Sequence, residues 1–328
     1  MPMVRTNWTR EEVAEIYQKP LIDLVFEAAR IHRENFNGNE VQMSTLLSIK
    51  TGGCPEDCAY CPQAARYNTG VKGTPLLNEE EIINAALAAK DSGSSRFCMG
   101  AAWREVKDNR HFDQVVGLVK NITDMGMEVC CTLGMLNEEQ AKRLKEAGLY
   151  AYNHNLDTSP EYYDKIIQTR TYEDRLNTLE NVRNAGISVC CGGIVGMGEQ
   201  ETDRIGLLQT LASLPKHPES VPINALVAVK GTPLADQEKI PFWDMLRCIA
   251  TARIIMPKSM VRLSAGRSEM SYTEQFLCFL AGANSIFAGD KLLTTPNPEF
   301  DSDKAMFELF GLKNMPAFAS ACKDKVEA

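Results

Sequence analysis

The 328-residue sequence lacks several features that would place it in common functional classes. It has no apolar run of membrane-spanning length, and its first residues do not resemble a signal or transit peptide. It has no excess of positive charge, because 35 Lys and Arg residues stand against 43 Asp and Glu residues, a net charge of −8. A general affinity for nucleic acid or for an anionic membrane is therefore not expected. These absences predict a cytoplasmic protein that acts on a small molecule.

Cysteine, in contrast, is abundant. Apolar residues make up 44% of the chain, so a full hydrophobic core can form without a scaffold of disulfides. Eleven cysteines in such a chain favour metal or redox chemistry. Three of them, Cys248, Cys278 and Cys322, lie in predicted helical stretches and are interpreted as ordinary thiols.

Helical and strand patterns alternate along most of the chain. Thr9 begins a capping box and Pro20 opens an apolar-periodic stretch, so the first ~35 residues are predicted to form two helices. Eight short strand candidates follow, separated by helical stretches, as in parallel strands joined by helical crossovers. The predicted strands cover 43–49, 95–101, 128–133, 151–156, 188–195, 222–229, 260–264 and 285–287, and the predicted helices include 78–92, 137–147, 172–185, 201–214 and 241–255.

Eight β/α units in roughly 250 residues favour a (β/α)8 barrel of the triosephosphate-isomerase type over an open doubly wound sheet. We predict a helical extension over 1–41, the barrel over 42–290, and a short C-terminal appendage over 291–328 with a helix near 303–310. Such barrels build their sites at the C-terminal ends of the strands. The residues that directly follow each strand are therefore the candidates for function.

Three cysteines follow the first predicted strand with the spacing C-x3-C-x2-C: Cys54, Cys58 and Cys61. Three thiolates on one short loop can hold a cuboidal iron–sulfur cluster and leave its fourth iron open to a small molecule. Zinc sites usually show two C-x2-C units, and no second unit of that spacing follows here. Three structural cysteines are a weaker alternative, because Pro, Gly and acidic neighbours indicate a turn rather than a core.

This loop resembles that of the radical S-adenosylmethionine superfamily. The resemblance implies a 4Fe-4S cluster whose open iron is chelated by S-adenosylmethionine and whose electron yields a 5′-deoxyadenosyl radical. Tyr60 matches the aromatic position before the third cysteine, close to the adenine in that superfamily; a packing aromatic is the alternative.

A second set of candidates lies within the predicted strands. Cys98 is in strand two, the pairs Cys130-Cys131 and Cys190-Cys191 are in strands three and five, and Arg262 is in strand seven. Since side chains alternate between faces, only one cysteine of each pair can point into the barrel. Each thiol alone could be a small buried hydrophobe, and a carboxylate partner is the simplest explanation for a buried arginine.

Several further stretches, spread over nearly the whole chain, make the resemblance more specific. They resemble the branch of this superfamily that inserts sulfur into dethiobiotin at C6 and C9 to form biotin. They include 48–52, 96–103, 152–158, 221–224 and 261–267. The resemblance implies a sulfurtransferase in which a 2Fe-2S cluster, ligated by Cys98, Cys130, Cys190 and Arg262, supplies the sulfur. Motif alignment leaves Cys131 and Cys191 as bystanders.

The same resemblance assigns the polar residues of the cavity. Asn153 and Asn224 would contact dethiobiotin, while Tyr60, Asn155, Asp157 and Arg175 would bind S-adenosylmethionine. Strand alternation places Asn153, Asn155 and Asp157 on one face of strand four and a hydrogen-bonded, structural His154 on the other. Without the resemblance, these residues could be strand-end, capping or surface groups.

No residue is predicted to act as a catalytic acid or base, because the chemistry is that of a cofactor radical. The resemblance further implies a homodimer and a reducing electron-transfer protein such as flavodoxin or ferredoxin. Two rivals remain open: another radical S-adenosylmethionine barrel, such as a lipoyl synthase or hydrogenase-cofactor maturase, and an electron-transfer or iron-storage protein. The latter would need neither eight β/α units nor a three-ligand loop.

Overall fold

A computed structural model describes residues 4–319 of the chain. Cys322 and the end of the predicted appendage lie outside these residues. The α-helices are α1 Arg10–Tyr17, α2 Leu21–Asn35, α3 Glu79–Asp91, α4 Arg110–Asp124, α5 Glu138–Glu146, α6 Pro160–Ile166, α7 Tyr172–Asn184, α8 Glu201–Ala212, α9 Phe242–Ile255, α10 Tyr272–Leu280 and α11 Phe300–Phe310. The strands are β1 Glu40–Lys50, β2 Arg96–Ala101, β3 Glu128–Thr132, β4 Ala151–Asn153, β5 Ser188–Cys190, β6 Gly193–Val195, β7 Ser220–Ala225, β8 Met260–Leu263, β9 Ser285–Ala288, β10 Lys291–Leu292, β11 Thr295–Pro296 and β12 Lys313–Asn314.

The parallel strands close into a barrel. Going round it, β1, β2, β3, β4, β5, β7, β8 and β9 pair in that order, and β9 pairs with β1 to complete the ring. The predicted (β/α)8 architecture is therefore confirmed, and the loops after the strands meet at one end. Within the described residues, no helix is long and apolar enough to cross a membrane.

Three predicted strands are clearly shorter or broken, and one of them, the sixth, ends at Ala225 rather than at residue 229. The fourth ends at Asn153 rather than at residue 156, and the fifth is interrupted between β5 and β6. Gly192 lies at the interruption, where a Cβ atom would stand only 2.0 Å from the carbonyl oxygen of Pro222. The backbone of neighbouring strands approaches so closely there that regular pairing gives way to a bend.

The N-terminal extension is anchored to the outside of the barrel. The predicted capping box at Thr9 is present, and helices α1 and α2 pack against α8 and α9. The Tyr17 hydroxyl lies 3.8 Å from the Cys248 sulfur and accepts a hydrogen bond from Arg204 Nε at 3.1 Å. These buried contacts tie the extension to the barrel.

The C-terminal tail packs across the barrel rather than away from it. After β9, strands β10 and β11 form a small antiparallel hairpin, and β12 pairs in parallel with the start of β1. Helix α11 is held by a buried ion pair between Asp303 and Arg267, whose Nη2 donates to Asp303 Oδ2 at 2.7 Å. The tail thus begins beside the mouth of the barrel, at the β10–β11 hairpin, and ends at the opposite end, where β12 pairs with the start of β1.

A fully buried arginine without a carboxylate partner among the described residues lies at the end of the barrel where the strands begin. Arg253 donates to the carbonyl oxygens of Gly282, Pro257 and Ser259 and to Asn284 Oδ1, all within 3.1 Å. Burial lowers its pKa to about 9. These bonds join α9 to the segment that leads into β9.

We predict that Gly282→Ala destabilises the protein by about 3 kcal/mol, because a strained backbone and an overpacked side chain each cost roughly 1–3 kcal/mol. Gly282 has a φ of +97°, and an added Cβ would lie 2.7 Å from Arg253 Cγ. Urea unfolding checks the loss. Gly126→Ala is the matched control, because Gly126 has a φ of +82° but no atom near the added Cβ; equal losses would show that the contact with Arg253 is unimportant.

Candidate functional site

The loop after β1 brings the three cysteines together. Gly52 and Gly53 both have a φ of +67°, and a Cβ on Gly52 would lie 2.8 Å from the Lys72 carbonyl oxygen, so the turn at Gly52 requires glycine. Backbone hydrogen bonds then fold the loop back on itself: Cys54 N donates to Gln63 O at 3.0 Å, and Cys61 N donates to Cys58 O at 2.9 Å. The loop is therefore built by backbone pairing, with all three thiols free of disulfides.

The thiols of this loop suit a cluster. Burial raises the pKa of all three, to about 11 for Cys58 and to about 12 for Cys61, where the neighbouring Cys58 adds to the effect. Thiolates here need a bound cation. Within residues 4–319, no three His, Cys, Asp or Glu side chains converge closely enough to hold a single metal ion. A cluster binds each thiolate through a different iron, so its ligands stand further apart.

Beside the loop lies a buried ion pair between Asp157 and Arg175, which are 2% and 3% exposed. Arg175 Nη2 and the Tyr60 hydroxyl both donate to Asp157 Oδ2, the latter at 2.8 Å. Arg175 Nε also donates to the Tyr163 hydroxyl at 2.7 Å. Burial lowers the pKa of the Arg175 guanidinium, but Asp157, together with Tyr60, Tyr163 and Cys58, raises it above its ordinary value. The alternative of a surface or capping arginine is therefore wrong.

Strand alternation fails beyond Asn153. Asp157 has a φ of +67° and donates its backbone N–H to Gly192 O at 3.2 Å, so the chain has left the strand. Asn153, Asn155 and Asp157 nevertheless line one cavity, joined by a 3.1 Å hydrogen bond from Asn153 Nδ2 to Asn155 Oδ1. The prediction of a hydrogen-bonded His154 is wrong, because its buried Nε2 has no partner among the described residues. Burial lowers its pKa well below the usual range and keeps it neutral.

The paired cysteines divide between the two sides of the barrel wall. Cys98 and Cys130 are register partners on β2 and β3 and pack with Ala151 in the barrel interior. Cys131 and Cys191 belong instead to the core between the strands and the helices. Cys190 accepts a hydrogen bond at its sulfur from Asn153 Nδ2, at 3.3 Å. The structure thus directs Cys98, Cys130 and Cys190 inward, while their role as ligands stays a prediction.

Arg262 lies next to these thiols. Its Nε donates to Ser285 Oγ at 2.9 Å, its Nη2 donates to Gln42 Oε1 and Ser44 Oγ, both at 3.2 Å, and its guanidinium stacks 4.4 Å from the centre of the Phe287 ring. Among the described residues it has no carboxylate partner, so the simplest explanation of its burial is wrong. The Cys130 thiol and then the Arg262 and Arg96 charges lower the pKa of Cys98.

Arg96 is a second buried arginine in this layer, to which the sequence assigned no role. Its Nε donates to Glu128 Oε2 at 2.8 Å, and its Nη1 is buried without a partner among the described residues. It stands two residues before Cys98 on β2, so both side chains are on the same face of the strand. The two-residue spacing of Arg96 and Cys98 was the signal in the sequence that could have identified Arg96.

One cavity at the mouth of the barrel joins these groups. It has about 1230 Å³ of empty space, part of it open to solvent, and its walls include Cys61 of the loop, Cys98 and Cys130 of the strands, and Arg262. Asn224 lies in the wall with its amide fixed, Nδ2 donating to Gly193 O at 2.9 Å and Oδ1 accepting from Ala265 N at 3.2 Å. Leu292 and Leu293 of the tail close one side, a contribution that the predicted appendage did not anticipate.

Comparisons with known proteins agree with this architecture. The Radical SAM superfamily model matches residues 48–211, and the Biotin and Thiamin Synthesis associated domain matches 222–313. A biotin synthase of Cytophaga hutchinsonii is 64% identical over 327 residues, covering 100% of this chain and 97% of the relative. A mitochondrial biotin synthase of Arabidopsis thaliana is 62% identical over 313 residues, covering 95% of this chain and 83% of the relative.

Solved structures share the fold at much lower identity. Methylornithine synthase aligns with a TM-score of 0.78 and 19% identity, covering 94% of each chain. The FeFe-hydrogenase maturase HydG of Carboxydothermus hydrogenoformans aligns with a TM-score of 0.82 and 17% identity, covering 97% of this chain and 78% of the maturase. At such identities these likenesses carry the fold and nothing finer.

Proposed function

We propose roles for individual residues of the barrel. The premise is that this chain belongs to the biotin synthase family of the radical S-adenosylmethionine superfamily. The chain accordingly converts dethiobiotin to biotin by inserting sulfur at C6 and C9, using a 4Fe-4S cluster and S-adenosylmethionine. When bound, these cofactors supply a radical able to break C–H bonds that acid–base chemistry cannot break. The assignments below concern the residues of this chain.

We assign the 4Fe-4S cluster to Cys54, Cys58 and Cys61. The observation that supports this assignment is three free thiols on one backbone-paired loop at the mouth of a closed barrel. The loop provides no fourth cysteine, which leaves one iron open to S-adenosylmethionine.

We assign S-adenosylmethionine to the polar groups next to this loop. Asp157 Oδ1 makes no hydrogen bond with a described residue, whereas Oδ2 is held by Tyr60 and Arg175, so one oxygen remains as an acceptor for the ribose hydroxyls. Asn155 uses its Oδ1 within the protein and keeps its Nδ2 as a donor. Arg175 fixes Asp157 and places positive charge where the methionine carboxylate would bind.

We assign dethiobiotin to the part of the cavity near Asn153 and Asn224. Asn153 lies between Asn155 and the sulfur of Cys190, a position that would hold substrate between the two cofactor sites. In this proposal neither residue transfers a proton. Their role is to orient the substrate carbons and, with the barrel wall, to exclude water from a reactive radical.

A 2Fe-2S cluster is proposed for Cys98, Cys130, Cys190 and Arg262. Three inward thiols meet an arginine with no carboxylate partner among the described residues, so the donor set fits an anionic sulfur cluster. Arginine is normally protonated and is an unusual ligand. In this proposal Arg262 lies next to the cluster, and its hydrogen bonds to Ser285 and Gln42 hold it in that position.

Further proposals rest on the family alone. They are a homodimer, a cytoplasmic location and reduction by flavodoxin or ferredoxin. The division at residues 41 and 290 also stays a proposal, although the buried contacts of the extension and tail with the barrel argue that the three parts fold together.

Anaerobic reconstitution tests the proposed function. The protein is loaded with iron and sulfide and then given S-adenosylmethionine, dithionite and dethiobiotin. We expect both 5′-deoxyadenosine and biotin. Formation of 5′-deoxyadenosine without biotin would favour a different radical enzyme of the same fold, and formation of neither would overturn the assignment of the cavity.

A further inference from the structure

A second concavity lies on the outer side of the cluster loop, and none of the functions assigned above uses it. Gly53 and Pro55, the neighbours of Cys54, form part of its wall. Ala102 and Trp103 line both this groove and the inner cavity that contains Cys54, Cys58 and Cys61. The groove is therefore separated from the cluster site by little more than the loop itself.

The groove is cationic on a chain that is acidic overall. Lys50, Arg104 and Lys107 line it together with His111, against a single carboxylate, that of Glu105. The whole chain carries a net charge of −8. A local field of opposite sign to the overall charge can orient an approaching acidic molecule that the rest of the surface repels.

The inner cations of the groove are already engaged. Lys50 Nζ donates to the carbonyl oxygens of Gly52 and Ala102, and Arg104 lies 3.4 Å from the buried Glu56 carboxylate. They stiffen the cluster loop and do not present a converging set of donors to a small anion. Lys107 and His111 are exposed at the rim, and Lys107 has no ion pair with a described residue. Exposed rim charges are typical of a surface that steers a macromolecule.

We propose that this groove is the docking surface for an acidic, flavodoxin-like protein that reduces the cluster. The inference rests on the proposed function, which requires an electron for each S-adenosylmethionine cleaved. One electron passes from the reduced flavin to the cluster bound at Cys54, Cys58 and Cys61. The flavin is thereby oxidised by one electron and the cluster reduced by one.

Binding of an acidic flavodoxin tests the proposal directly. We expect Lys107→Glu to weaken binding about tenfold at low salt, and Lys107→Glu with His111→Glu to weaken it further. Isothermal titration of the cluster-loaded protein with oxidised flavodoxin measures this. Binding of the unsubstituted protein should also weaken as salt rises, because the Debye length shrinks to about 8 Å at 0.15 M. A glutamate at His111 lies in the first turn of α4, where negative charge favours the helix, so folding should be retained.

Lys145→Glu is the matched control, with the same change of charge near the C-terminal end of α5, at the opposite face of the barrel. It should bind flavodoxin like the unsubstituted protein. With dithionite as reductant, Lys107→Glu should form 5′-deoxyadenosine at the normal rate. Failure of the unsubstituted protein with dithionite would contradict the proposed function. Unchanged flavodoxin binding in the groove variants, or equal weakening by Lys145→Glu, would overturn the docking surface alone.

Discussion

Cys130→Ala is expected to remove the proposed second iron–sulfur cluster, whereas Cys131→Ala is expected to leave it in place. The two residues are adjacent on β3, but Cys130 packs in the barrel interior with Cys98, and Cys131 packs in the outer core. Adjacent strand residues face opposite sides, so the two variants remove the same atoms from two different environments.

Iron and sulfide content after anaerobic reconstitution, together with the visible absorption spectrum, reports the result. Cys130→Ala should retain the spectrum of the first cluster alone and lose at least about 100-fold in biotin formation, since even a partner outside the ligand shell can cost 10- to 100-fold at metal sites. Cys131→Ala should retain both clusters at a small cost in stability.

Cys190→Ala and Cys191→Ala repeat the comparison on β5. Cys190 accepts a hydrogen bond from Asn153 inside the barrel, while Cys191 lies in the outer core. Loss of the second cluster in Cys131→Ala or Cys191→Ala, with retention in their neighbours, would reverse the assignment. Retention in all four variants would make the inward thiols ordinary core residues.

Much of the fold could be predicted because its signals are local. Strand and helix patterns repeat along the chain, and the capping box at Thr9 is present in the structure. What the patterns missed depends on contacts between segments. Strand β5 stops where the backbone of Pro222 approaches Gly192, and β4 ends at Asn153, before the chain reaches the left-handed conformation of Asp157. Helices α4 and α6 have no counterpart among the helices named from the sequence.

In the candidate site, too, the local features could be predicted from the sequence, and those that depend on contacts between segments could not. The cysteine loop is a local motif, and its spacing could be recognised in the sequence. Alternation of side chains along a strand limited each cysteine pair to one inward thiol. The ion pair of Asp157 with Arg175 joins a strand end to a helix, and the contribution of Leu293 joins the tail to the mouth of the barrel. Neither follows from spacing, because each depends on how the barrel closes. That His154 Nε2 has no hydrogen-bond partner within residues 4–319 likewise depends on packing and not on spacing.

Asp157→Asn is expected to be the most damaging conservative change near the proposed S-adenosylmethionine site. It preserves the shape of the side chain and leaves an oxygen for the Tyr60 hydroxyl, but it removes the charge that faces the buried Arg175. Breaking one side of a buried ion pair costs about 3–5 kcal/mol, because the remaining charge is buried without compensation. Asparagine also tolerates the φ of +67° at this position, so the loss would report charge rather than backbone strain.

Two measurements separate stability from binding. Denaturant unfolding of the cluster-free protein should show the loss of about 3–5 kcal/mol in Asp157→Asn, and calorimetric titration of the cluster-loaded protein should show no binding of S-adenosylmethionine. The double variant Asp157→Asn with Arg175→Met removes both charges, and replacement of a whole buried pair by apolar groups is often neutral. It should therefore recover most of the stability without recovering binding. If the double variant is as unstable as the single one, the ion pair is not the cause; if it binds the cofactor, Asp157 and Arg175 serve the fold and not the ligand.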